Sequence, residues 1–254
     1  MSLAISLPAE KIAQIGSFPV TNSVLTSWIV SVLFIAGALM ISRQISASSA
    51  TNQAPGKLLN AIEMIVEGLF QFTSQIIGSA KETKKYFPLL ATIFVFIMIN
   101  NWVGLLPGVG SIGFWGLHHG QTVLIPLFRG ANADLNMTFG LALVAVAYIH
   151  FYGMSALGVK AHLAKFFNFR GAIDAFVGVL ELISEFSKVI SFAFRLFGNI
   201  FAGEVLLMVI SSLVPVFAAL PFYFLEIFVG FVQALVFMML TVVFIKVHTA
   251  HHSH

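Results

Sequence analysis

The sequence predicts an all-α polytopic membrane protein. We expect about five crossings, one amphipathic helix on the membrane surface and a long helical hairpin at the C-terminal end. Composition carries the first step. Of 254 residues, 59% are hydrophobic and 9% charged, against about 25% charged in soluble domains. The mean hydropathy is +0.97. A chain this apolar cannot cover itself with polar surface, so its solvent is lipid. The second observation is a series of apolar runs long enough to cross a bilayer. The third is the position of the basic residues, most of which flank those runs.

Residues 24–41 form the first expected span, stopped by Arg43 and followed by a polar connector to Pro55. Residues 57–79 differ. Leu58, Ile62, Ile65, Leu69, Phe72 and Ile76 recur at a helical period, with Glu63 and Glu67 off the stripe. That pattern predicts a helix lying in the interface. Residues 87–106 span again and end near Asn100, Asn101 and Trp102, where a polar and aromatic belt is expected. A Gly-rich loop over 107–134 carries His118, His119 and Arg129, and residues 135–158 span back. Residues 172–213 and 216–248 read as the hairpin, with Pro215 and Pro221 marking its turn and HTAHHSH forming a polar tail. The whole of 1–254 reads as one membrane domain.

Charge sets the expected orientation. With the N-terminus outside, the cytoplasmic side holds Arg43, Lys57, Lys81, Lys84, Lys85, Lys160, Lys165, Arg170 and Lys246. The outside then holds only Lys11 and Arg129, which satisfies the positive-inside rule. The basic residues form no aromatic-interleaved patch, so nucleic acid is not an expected partner and membrane lipid is. The N-terminus shows no signal-peptide pattern. The absence of cysteine excludes disulfides, thiolate metal sites and cysteine nucleophiles. No cofactor and no metal site are expected, and the terminal histidines read as a solvated tail.

Residues 174–206 hold charges that lipid opposes. A charge at the bilayer centre costs about 2.5–3.5 kcal/mol on insertion scales, yet this segment keeps Glu181, Glu185, Lys188, Arg195 and Glu204. At roughly 100° per residue, Glu181, Ser184, Lys188, Ser191, Arg195 and Asn199 fall near one face. Glu204 points the other way, about 13 Å further along. The last helix adds Glu226 and Gln233. Folding the two helices about Val214–Pro215 brings Glu204 level with Glu226 and Arg195 level with Gln233. The expectation is two polar vestibules, one at Glu204 and Glu226 and one at Glu181 and Glu185, separated by a fixed positive charge. Carboxyls relay protons when burial shifts them. Arginine stays protonated and so acts as a barrier and a counter-ion.

FRLFGNIFAGE at 194–204 closely resembles the signature of subunit a of F-type ATP synthases, in its bacterial wording. EMIVEGLFQF, YFPLLATIFVFIMINNWVGLLPG, ADLNMTFGLAL and QALVFMMLTVVFI resemble further family segments, so the likeness covers nearly the whole chain. The resemblance implies a non-catalytic stator subunit whose entry and exit half-channels carry protons to and from the c-ring. It implies Arg195 as the arginine facing that ring. Asn199, Glu204 and Gln233 resemble channel residues, Glu226 a carboxylate variant, and Glu181, Ser184, Glu185, Lys188 and Ser191 the cytoplasmic polar face. Asp134 and Asn136 match the family's DLN segment. The implied partners are the c-ring and the subunit b stalk, and the implied place is a bacterial inner membrane. The family's last two helices are strongly tilted, which suits an apolar segment too long for one upright crossing. A free-standing secondary transporter with an Arg/Glu relay is the alternative, but it should show an internal repeat, and none is visible. An intramembrane hydrolase would need a motif such as HExxH, also not seen.

Overall fold

A computed structural model describes residues 9–51, 56–118, 121–166, 171–213 and 219–249. Two strands, β1 (Lys11–Ile15) and β2 (Phe18–Thr21), pair antiparallel and lead into helix α1 (Asn22–Thr51). Helices α2 (Lys57–Ile77) and α3 (Ala80–Gly104) follow. A second antiparallel hairpin, β3 (Gly113–His118) and β4 (Gln121–Pro126), then leads to a 3-10 turn at Ala131–Ala133. Helices α4 (Leu135–Leu157), α5 (Val159–Ala164), α6 (Ala172–Leu213) and α7 (Ala219–Thr249) complete the fold. Five of these helices are long and apolar enough to cross a membrane: α1, α3, α4, α6 and α7. The protein is an all-α polytopic membrane protein, with two short hairpins added outside its helices.

The hairpin of β3 and β4 departs from the irregular Gly-rich loop that the sequence suggests for 107–134. Trp115, Leu124 and Ile125 supply β-forming side chains, and cross-strand pairing satisfies their backbone groups. Helix α1 also runs past Arg43 to Thr51. Pro221 lies in the first turn of α7, where its missing N–H forfeits no helical bond. The expected turn at Val214–Pro215, together with Arg170, His119 and the terminal His251, His252 and His254, lies outside the described residues.

Local chemistry sets the helix ends. Gly78 stops α2 in the left-handed region at φ 85°, and its N–H donates to the Ser74 carbonyl at 2.8 Å. Ser79 then caps α3 by accepting from the Glu82 N–H. Asp134 caps α4 by accepting from the Asn136 N–H at 2.9 Å. The same carboxylate accepts from Ser23 at 2.6 Å, tying α1 to α4. The stripe on α2 divides: Leu69 and Ile76 pack on the core, while Leu58, Ile65 and Phe72 stay exposed. Lys246 anchors the end of α2 by donating to the Ile76 carbonyl at 2.7 Å.

The core lies where α7 meets α3, α4 and α6. Leu90, Phe94, Ile97, Ile149, Leu196, Met238, Val242 and Ile245 are almost fully buried there. Ala142, Ala145, Ala193 and Ala234 are completely buried between the helices, and such small residues permit close approach in a membrane. Helix α6, with 42 residues, is about 63 Å long, about twice the ~30 Å hydrocarbon thickness. It packs along the 31-residue α7, and its length is too great for one upright crossing of that thickness.

Polar bonds lock α3 to α7. Asn101 donates to the Gly230 carbonyl at 2.8 Å and accepts from Asn132 at 2.7 Å. Trp102 donates to the Ile227 carbonyl at 3.0 Å. Asn100, by contrast, donates to the Phe96 carbonyl of its own helix. Asn101→Ala is therefore expected to cost roughly 1–2 kcal/mol and Asn100→Ala less. Loss of helical ellipticity in mixed-micelle denaturation checks both.

Candidate functional site

Helix α6 presents its ionisable groups in sequence along its length. Glu185, Arg195 and Glu204 are spaced by about 15 Å and about 13 Å of helical rise. The helix rests on its neighbours through Val189, Phe192, Ala193, Leu196 and Phe197, all buried. Ser191, Arg195 and Asn199 lie on the opposite, exposed face. There the Arg195 guanidinium donates to Ser191 Oγ at 3.3 Å, and the Asn199 amide donates to the Arg195 carbonyl at 2.9 Å. Phe186, Ile190 and Phe194 are exposed around them.

Two cavities open along the helix, on either side of Arg195. One, of about 250 Å³, is lined by Ser184, Lys188, Ser191 and Arg195 with Leu240 and Phe244 of α7. The other, of about 290 Å³, is lined by Glu204 and Glu226 together with Asn101, Ser211 and Tyr223. The two carboxyls thus share a cavity, as hairpin geometry predicts. Gly203 makes this possible: a Cβ there would overlap the Glu226 carboxylate. Gln233 is half-buried on α7, and among the described residues no hydrogen bond joins it to Arg195.

The partner of Glu204 is Arg129, with Nη2 3.4 Å from Oε2. Arg129 is buried, and its guanidinium lies 5.9 Å from the Phe201 ring. In the sequence Arg129 reads only as a loop charge. No local pattern marks it, because the contact spans 75 residues.

The other end of α6 also departs from expectation. Glu181 is half-buried, whereas Glu185 is buried and turns into the bundle. Lys188 donates to Glu185 Oε1 at 2.6 Å. His248 Nε2 approaches the same oxygen at 2.9 Å, and His150 Nε2 lies 3.4 Å from Oε2. His162 stands behind, with Nε2 3.1 Å from His150 Nδ1. Burial first, then the neighbouring His150 and His248, hold the His162 imidazole below its usual range. The expected solvated tail is thereby corrected at its start. Helix α7 continues to Thr249, and His248 is 3% exposed because it packs against α4 and α6 rather than water. His150 and His162 attract no notice as isolated histidines; only the shared carboxylate reveals them. Asp134 and Asn136 form a helix cap and line neither cavity.

Comparison with known proteins places this geometry in a family. The family model described as ATP synthase A chain matches residues 24–246. ATP synthase subunit a of Campylobacter jejuni subsp. doylei is 34% identical over 218 residues, 85% of this chain and 88% of that one. The subunit a of Campylobacter curvus is 32% identical over 208 residues, 82% of this chain and 84% of that one. That of Moorella thermoacetica is 28% identical over 238 residues, 94% of each. With five apolar helices of spanning length and a family match over nearly all of them, the chain belongs to the ATP synthase A chain family.

Proposed function

We propose that the chain is the stator subunit that carries protons between the two sides of the membrane and the rotating c-ring of an ATP synthase. Arg195 is the observation that carries this reading. An arginine exposed on the outer face of a membrane helix is expensive in lipid, and the exposed Phe186 and Phe194 beside it suit a packed partner. A helix bearing a carboxylate fits that face: the carboxylate neutralises the arginine, and its apolar flanks cover the phenylalanines.

The two cavities supply the routes. A proton enters from outside at Glu204 and Glu226 and neutralises a c-ring carboxylate. The neutral site then passes into lipid, where a charged one is costly. After nearly a full turn it releases the proton toward Glu181 and Glu185, on the side of Lys188 and Ser191. Arg195 favours that release by pairing with the emptied carboxylate. It also blocks direct leak, since a fixed cation repels another. Asn199 and Gln233 add polar contacts between the two routes. Each charge moved gains about 2.3 kcal/mol per 100 mV of membrane potential. The ATP chemistry belongs to the catalytic head, and a subunit b stalk holds this chain against rotation. The setting is a bacterial inner membrane, with the N-terminus outside and the C-terminus cytoplasmic.

Arg195→Ala is expected to reduce proton-driven ATP synthesis in reconstituted vesicles to background, while ATP hydrolysis by the catalytic head persists. Retained coupled synthesis would overturn the role given to Arg195. For orientation, Lys84 and Ser111 are both exposed. In right-side-out vesicles, a membrane-impermeant thiol reagent should label Ser111→Cys and leave Lys84→Cys unmodified. The reverse pattern would invert the assigned topology.

A further inference from the structure

Buried Glu185, His162 and His248 form a polar cluster with the half-buried Lys188 and His150 at one end of the bundle, and its hydrogen-bond chemistry does not close with neutral rings and an ionised carboxylate. His248 Nδ1 lies 2.9 Å from the Phe244 carbonyl oxygen. A carbonyl only accepts, so Nδ1 carries the hydrogen. In the neutral ring, Nε2 then points a lone pair at Glu185 Oε1, 2.9 Å away. Two electron-rich atoms at that distance need a proton or a metal ion between them. Glu185 Oε2 repeats the situation: it is buried without a hydrogen-bond partner, with His150 Nε2 3.4 Å away.

We propose that His150, Glu185 and His248 form a binding site for a divalent cation of the zinc type. One ligand atom from each lies within 4.8 Å of the others. Ligands about 2.0–2.1 Å from a tetrahedral zinc stand about 3.3 Å apart, and the observed 2.9 and 3.4 Å separations bracket that value. Two imidazole nitrogens and one carboxylate oxygen suit zinc, cobalt or nickel rather than calcium or magnesium, which prefer all-oxygen shells. Three protein ligands leave a fourth position open. The carboxylate offers Oε1 toward His248 and Oε2 toward His150, and Lys188 also donates to Oε1, so the ion would share the carboxylate with the ammonium.

The outer contacts fit the same reading. A metal-binding histidine usually engages its second nitrogen with a neighbouring group, which fixes ring and tautomer. Here His248 uses the Phe244 carbonyl and His150 uses His162. Gly153 leaves the room: a Cβ there would come 2.7 Å from His162 Cε1 and 3.3 Å from His248 Cβ. The three ligands come from α4, α6 and α7, so the ion would clasp three helices. The proposal concerns binding; it shares Glu185 with the exit side of the route above, where Glu181 would remain the second carboxyl.

The test uses the full chain without an affinity tag, solubilised in mild detergent, stripped with chelator and titrated with Co²⁺. One Co²⁺ per chain is expected, with the intense visible absorption of a four-coordinate ion, displaced by Zn²⁺. His150→Gln and His248→Gln should each abolish the band with helical ellipticity unchanged. His162→Ala should weaken binding about 10–100-fold at the same stoichiometry. Replacing His251, His252 and His254 by Ala should leave the band intact. X-ray absorption at the zinc edge of the unaltered chain needs no variant, and should show two imidazoles with oxygen ligands. Only a weak six-coordinate Co²⁺ spectrum would mean that a proton alone closes the cluster, and would overturn the site. So would a band that survives the double His150→Gln/His248→Gln variant, or a zinc shell of three or more imidazoles.

Discussion

Lipid offers no water to a charged side chain, and every ionisable group on α6 has to find its compensation within the protein or a partner. The helix pair meets this demand differently at each level. Glu185 turns inward and gathers Lys188, His150 and His248. Glu204 pairs directly with Arg129. Glu226 of α7 is buried in the space left by Gly203. Arg195 stands on the outer face, where its guanidinium donates to the neutral hydroxyl of Ser191. Among these four, the paired groups tie the helices together, and Arg195 is left facing outward.

Close packing supports that arrangement. The buried alanines of α4, α6 and α7 let the helices approach without large side chains between them. Asn101 and Asn132 then fix α3 and the 3-10 turn against α7 through a short chain of hydrogen bonds. Because α7 touches α3, α4 and α6 at once, its rotation sets where both Glu226 and His248 point. The carboxyl cavity and the histidine cluster, at opposite ends of the same helix, are thus consequences of one packing arrangement.

Much of this is legible before folding. Apolar runs of spanning length need only composition and length, so the all-α membrane class follows directly. The charges within 174–206 stand out because lipid penalises them, and Arg195 is found by that penalty and by FRLFGNIFAGE. Simple hairpin arithmetic anticipates that Glu204 and Glu226 share a level, since two antiparallel helices of equal rise pair residues symmetrically about their turn. The hairpin of β3 and β4 is less visible: the Gly-rich segment over 107–134 reads as a loop until cross-strand pairing is known.

The sequence by itself determined that this chain lives in a membrane, and that one long helix carries charges there, Arg195 among them. Each follows from the cost of polarity in lipid, which depends on residue type and spacing along one helix. Only the tertiary structure decided that Arg129 answers Glu204, and that Glu185 leaves the polar face of α6 to meet His150 and His248. Those contacts join residues far apart in the chain. They depend on how the helices rotate and slide against one another, and packing between helices, not periodicity within one, sets that rotation.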